Sequence, residues 1–177
     1  MPPNGSGGIF RGMTISGRVL LSAVLLSSLG LAAPPAPAVA QMAPPMVRAH
    51  IYDDNADARK DIAAAVAQAR REHKRVIVDF GGDWCGDCQV LDIYFHQPQN
   101  QALLQKYFVL VHASVGHIDK NLDIPIGYGV NIKKGVPALA VLDSRGKVVY
   151  AQATGEFENM RNMNSSSVTE FLNKWKA

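Results

Sequence analysis

The chain has two cysteines, Cys85 and Cys88, and both lie in one pentapeptide, Trp84-Cys85-Gly86-Asp87-Cys88. Two thiols at this spacing can close a small disulfide and exchange it with the disulfide of another protein. Residues 76–80 before them read Val-Ile-Val-Asp-Phe, the composition of a buried strand. Gly81 and Gly82 then allow a tight turn, and a helix is predicted from Cys85 onward. Unpaired backbone N–H groups and the positive end of the helix dipole face whatever sits at a helix start. A thiolate is therefore favoured at Cys85, which becomes the expected nucleophile. Cys88, roughly one turn further on, is the expected resolving thiol that releases the product. A zinc site fits less well. It wants four ligands, and the chain has no second Cys-x-x-Cys and no His-x-x-x-His. A purely structural disulfide is weak too, because so short a loop constrains the unfolded chain little.

The run Val78-Asp79-Phe80-Gly81-Gly82-Asp83-Trp84-Cys85-Gly86-Asp87-Cys88 resembles the active-site strand and helix of the thioredoxin family, usually V-D-F-x-x-x-W-C-G-P-C. The resemblance implies an α/β thioredoxin fold, a mixed central β-sheet flanked by helices, over residues 53–177. It implies no organic cofactor and no metal, since electrons pass through the cysteine pair itself. By the same resemblance Asp79 is a buried carboxylate under Cys88 that accepts and returns its proton. Read alone, an Asp near a strand end is more often solvated or capping. Trp84 matches the tryptophan that shields the disulfide. In Gly135-Val136-Pro137 the family holds a cis proline facing the disulfide, so Val136 and Pro137 are the expected substrate platform; a trans proline opening an edge strand is the plain alternative. His112 aligns with a lysine that the family keeps near the buried carboxylate. Either it pairs with Asp79 and helps move its proton, or it is a core histidine with one satisfied hydrogen bond. Asp87 stands where the family has proline. An acidic residue there disfavours a thiolate beside it and stabilises the disulfide, a bias towards a reducing protein.

The remaining chain must supply the elements that hold these groups. Residues 1–40 contain no acidic residue, two arginines at Arg11 and Arg18, an apolar run over 19–33, and Ala38-Val39-Ala40 at the end. That pattern is a signal peptide with cleavage after Ala40; an uncleaved membrane anchor is the alternative, the run being short for a span. Removing it takes the formal net charge from +3 to +1. The implied location is periplasmic or secreted, an oxidising space where a reductase needs an electron donor. By the family resemblance that donor is a membrane thiol shuttle, and the substrates are exported proteins with cysteines. No basic stripe with interleaved aromatics points to nucleic acid, and Arg70, Arg71, Lys74 and Arg75 read as cations at a helix C-terminus.

Residues 41–52, with Pro44 and Pro45, read as a linker or an early edge strand. A helix follows from a cap at Asp57 or an earlier Asp to about His73, with Ile62, Val66 and Ala69 on one face. After the cysteines, the active-site helix carries Val90, Leu91 and Tyr94 until Pro98 interrupts it, and a short helix spans 100–107. A strand over 108–115 holds His112, and a long loop over 116–128 follows; His96 and His117 fall in loops and receive no role. Residues 138–142 and 147–153 form a hairpin around the turn Asp143-Ser144-Arg145-Gly146. The last helix starts from a capping box at Ser167-Val168-Thr169-Glu170 and presents Val168, Phe171, Leu172 and Trp175. The expected function is an exported thiol–disulfide oxidoreductase reducing other exported proteins. The alternatives are an oxidase or isomerase with the same site, and a non-catalytic peptide-binding module.

Overall fold

A computed structural model of the chain describes residues 50–176. The signal peptide read at residues 1–40 and most of the segment 41–52 lie outside those residues; residues 50–52 form a bend without strand pairing. Helix α1 (Ala58–Glu72) begins where expected: the Asp57 carboxylate accepts the Lys60 N–H at 3.1 Å. It buries Ile62, Ala65 and Ala69 and ends at His73 in the left-handed conformation. Strand β1 (Arg75–Gly81) follows, then α2 (Gly86–Phe95), α3 (Pro98–Tyr107), β2 (Phe108–Ser114), α4 (Asp123–Gly127), β3 (Ala138–Leu142), β4 (Val148–Ala151) and α5 (Ser165–Trp175). Short 3-10 turns occupy Ile132–Lys134 and Met160–Asn162.

The four strands form one mixed sheet in the order β2-β1-β3-β4. β1 runs parallel to β2 with Asp79 opposite His112, and antiparallel to β3 with Asp79 opposite Leu139. The two neighbours, and helices over both faces, leave β1 buried almost throughout, which is why its sequence is a continuous apolar run. Alternation divides the core in two. Val76, Val78 and Phe80 pack with Ile62, Ala65 and Ala69 of α1. Ile77 points the other way, with Leu139 and Val141, into a cluster with Leu91 and Phe95 of α2, Leu104 of α3, and Val168, Phe171 and Leu172 of α5. Asp79, two residues beyond Ile77, is on the second face. Trp175 packs on Tyr150, with ring centroids 5.0 Å apart, partly buried against this second cluster.

The strands expected at 108–115 and 147–153 end up as Phe108–Ser114 and Val148–Ala151, and three larger departures from the sequence expectation have physical reasons. Pro98 does not merely end the active-site helix; it opens α3 in its first turn, where a missing N–H costs nothing. Helix α5 starts at Ser165, capped by Asn164, whose side chain accepts the Ser166 N–H at 3.1 Å. Asn164 is an equally good cap lying ahead of the Ser167 box, so the helix begins earlier. The 116–128 segment, read as loop, contains the short helix α4.

One buried amide ties the helices of the second face together. Asn100 is fully buried; its Nδ2 donates to the Tyr94 carbonyl at 2.8 Å and the Ser165 carbonyl at 3.3 Å, and its Oδ1 accepts from Thr169 Oγ1 at 2.6 Å. Asn100→Ala strands these groups and is expected to cost about 2 kcal/mol, read as a lower urea midpoint with an unchanged slope.

Candidate active site

Cys85 has extended backbone (φ −85°, ψ 108°) and caps α2: the Cys88 N–H donates to its sulfur at 3.1 Å. The two cysteines are disulfide-bonded, with Cα atoms 5.2 Å apart. Cys88 is fully buried and Cys85 nearly so. The Cys85 sulfur lies 3.5 Å from the Val136 carbonyl oxygen, and the Val136–Pro137 peptide is cis. The structure thus brings Cys85, Cys88, Val136 and Pro137 into one site, although 51 positions separate Cys85 from Val136. Behind this shelf, buried Gln152 donates its amide to the Pro137 carbonyl at 3.2 Å and accepts the Leu139 N–H at 3.1 Å. Trp84 stands beside the pair, 48% exposed. Its indole N–H donates to the Gly116 carbonyl at 2.6 Å and its ring stacks on His117 at 5.3 Å. His117, given no role from sequence, helps fix the tryptophan.

Asp79 is fully buried. Its Oδ2 accepts the Tyr52 hydroxyl at 2.8 Å and lies 3.1 Å from His112 Nδ1, while Oδ1 is buried with no hydrogen-bond partner among the described residues. The structure thus sets His112 beside Asp79, and it adds Tyr52, which the sequence does not single out. Burial first, and the Asp79 charge second, raise the Tyr52 phenol well above its ordinary pKa, so it stays a donor. Gly81 makes the approach possible. A Cβ there would stand 2.5 Å from the Tyr52 hydroxyl and 2.9 Å from the Cys88 sulfur, so hydroxyl and sulfur are neighbours over a position with no side chain. The other His112 nitrogen, Nε2, is 3.9 Å from Asp92 Oδ1, which places the imidazole between two buried carboxylates.

Asp83, in the turn between strand and helix, holds the Tyr52 segment. Its Oδ1 accepts the N–H groups of Ile51 and Tyr52 at 2.8 and 2.9 Å, and His50 Nδ1 is 3.2 Å from Oδ2. Burial pushes this carboxyl up, but the two backbone donors and the imidazole outweigh it and lower its pKa.

Asp87 corrects an assumption made from sequence. Its carboxylate does not stand bare between the cysteines. Oδ1 accepts the Arg161 backbone N–H at 2.9 Å, and the Arg161 guanidinium closes on both oxygens at 3.0–3.2 Å. Burial pushes the Asp87 carboxyl up, yet the Arg161 side chain and N–H hold it below the ordinary range. An acid between two cysteines invites a search for a cation, but nothing in the sequence picks Arg161 from 18 lysines and arginines. Among the described residues, no group of three or more His, Cys, Asp or Glu is placed to hold a metal, and no helix is long and apolar enough to cross a membrane.

A mixed sheet with a dithiol pair at the head of the helix after its central strand, facing an X-Pro shelf, defines the class of thioredoxin-fold thiol–disulfide oxidoreductases. Comparison with known proteins agrees. Residues 57–144 match a thioredoxin-like family model. The disulphide isomerase from Xylella fastidiosa Temecula1, known from its crystal structure, is 39% identical with a TM-score of 0.67, over 70% of this chain and 95% of that one. The chain belongs to the thioredoxin-like family. Thioredoxin-T of Drosophila melanogaster is 35% identical over 60 residues, and the thiol:disulfide interchange protein DsbD of Vibrio cholerae 32% identical over 97. These matches take in 34% and 54% of this chain but span only 35% and 16% of those relatives' own length.

The lowered Asp83 pKa has a definite consequence for acid stability. An acid depressed below its unfolded value, about 3.9, stabilises the fold above that value and ceases to do so as pH falls through the folded one. In urea unfolding, the stability gap between the wild type and Asp83→Asn should be full near about pH 6 and narrow below about pH 4.

Proposed function

We propose that the protein is an exported thiol–disulfide oxidoreductase whose reduced pair attacks disulfides of other exported proteins. The observation that carries this reading is the Cys85–Cys88 disulfide at the head of α2, its Cys85 sulfur 3.5 Å from the Val136 carbonyl. In the reduced protein the Cys85 thiolate attacks one sulfur of a partner disulfide. That bond breaks, a mixed disulfide forms, and the partner's other sulfur leaves as a thiolate that takes up a proton. Cys88 loses its proton to Asp79 and attacks the Cys85 sulfur. The mixed disulfide breaks, the Cys85–Cys88 bond forms, and the second partner sulfur leaves and is protonated. Two electrons and two protons have passed to the partner.

In this scheme Tyr52 and His112 orient Asp79 towards Cys88, while Trp84, Val136 and Pro137 form the platform on which an extended partner chain lies. Export rests on the signal-peptide pattern of residues 1–40, and a periplasmic or secreted location follows from it. Return to the dithiol requires an electron donor, for which a membrane thiol shuttle is the proposed partner; identity to a thiol:disulfide interchange protein supports a place in such a relay. The 39% identity to a disulphide isomerase favours a second reading, in which the same attack by Cys85 reshuffles the partner's bonds without net reduction.

Incubation with a disulfide-bonded peptide, followed by alkylation and mass analysis, tests the scheme. Cys88→Ser should accumulate the mixed disulfide through Cys85, and Cys85→Ser should form none. Asp79→Asn should leave the first attack intact and slow resolution by on the order of a hundredfold. A reduction potential nearer about −270 mV than about −120 mV is expected for a protein that works from its reduced form. Full peptide binding by Cys85→Ser, with no exchange by the wild type, would instead make the domain a binding module.

A further inference from the structure

Asp87 occupies the second position of α2, at the same positive helix end that favours a thiolate at Cys85. An unpaired carboxylate there would compete with the thiolate and shift the pair towards disulfide. The structure supplies a cation from the far end of the chain, 74 positions away. The Arg161 guanidinium binds both Asp87 oxygens and lies across the link between the cysteines: a Cβ on Gly86 would be 3.8 Å from its Nη1 and Cδ. The backbone of Arg161 is held independently, because its N–H donates to Asp87 Oδ1. The 3-10 turn Met160–Asn162 is therefore fastened to the active-site helix by the backbone N–H groups of Met160 and Arg161 on the Asp87 carboxylate, and the guanidinium is an addition to that attachment.

We propose that Arg161 is a positioning residue that sets the redox poise of the Cys85–Cys88 pair by neutralising Asp87, an inference that rests on the exchange reading above. Reduction converts the disulfide, two electrons and two protons into the dithiol, and the Cys85 thiol then loses a proton to become the nucleophile. Whatever stabilises that thiolate stabilises the reduced form and raises the potential. With Asp87 paired, the site is less reducing than its acidic dipeptide alone would make it. The Arg161 side chain is 67% exposed, so solvent screens the pair and the effect is moderate, about threefold in the dithiol–disulfide equilibrium. The other charged or titratable groups around the sulfurs have their own settings: Asp79 with Tyr52 and His112, Asp83 on the 51–52 backbone, Glu158 beside Gly135, and His117 on Trp84.

The test is the equilibrium of the pair against a graded dithiol buffer, together with the Cys85 pKa from thiolate absorbance, for four variants and the wild type. Arg161→Met removes the cation and keeps the backbone N–H bonds to Asp87. It should favour the disulfide about threefold, a potential about 14 mV more negative, and raise the Cys85 pKa. Asp87→Asn leaves the cation alone beside the thiolate and should move both quantities the opposite way. Arg161→Lys should stay nearer the wild type than Arg161→Met, and the double variant Asp87→Asn/Arg161→Met should return close to it. The Arg161→Met displacement should also shrink in high salt. Wild-type values in both single variants, or shifts of the same sign in both, would overturn the proposal, because a merely structural clamp has no charge-dependent sign. Failure of the wild type itself to form or exchange its disulfide would remove the exchange reading, and this proposal with it.

Discussion

A carboxylate with no solvent exposure stands in the central strand, and a group of that kind is costly to bury unless polar partners surround it. Much of the site's local architecture follows from accommodating Asp79. The parallel register of β1 and β2 sets His112 directly across from it. The Tyr52 hydroxyl arrives from a segment before α1, and Asp83 anchors that segment by its backbone. The turn after β1 therefore has two tasks: it delivers Cys85 to the start of α2, and it folds the chain before α1 back over the carboxylate. Gly81 serves both, since any side chain there would collide with the tyrosine and the Cys88 sulfur.

Two acids of the site, Asp79 and Asp87, are managed in opposite ways. Asp79, inside, meets a neutral phenol and an imidazole, groups that satisfy an oxygen without placing a permanent cation in the core. Asp87, itself largely buried, meets a full guanidinium that stays mostly in water. A permanent cation is inexpensive where its own side chain reaches water and expensive where it cannot, so each acid has the kind of partner its surroundings permit.

The cysteine motif, the strand that feeds it and the helix that receives it were legible because they are local: composition, turn glycines and helix-start chemistry lie within 13 consecutive residues. The hairpin and α1 were legible for the same reason. The Asn164 cap was hidden by a run of residues, Asn164 to Ser167, each able to cap a helix, so local chemistry could not choose among them. Helix α4 is a five-residue turn with no periodicity to detect. His112 could be placed only by aligning one strand with another. Tyr52 and Arg161 were illegible because their partners are 27 and 74 positions away, and neither residue type announces such a contact.

The sulfur pair and the peptide shelf opposite it are mounted on different parts of the molecule. Gln152 bolts Pro137 and Leu139 to the end of the hairpin, so the shelf takes its position from the sheet. The cysteines take theirs from α2 and from the turn that carries Arg161. Substitutions on one mount need not disturb the other. On the proposed reading, where partners lie on the shelf and the helix head sets electron affinity, the two are in that sense separate dials, and descendants of this chain could acquire new clients without retuning their chemistry.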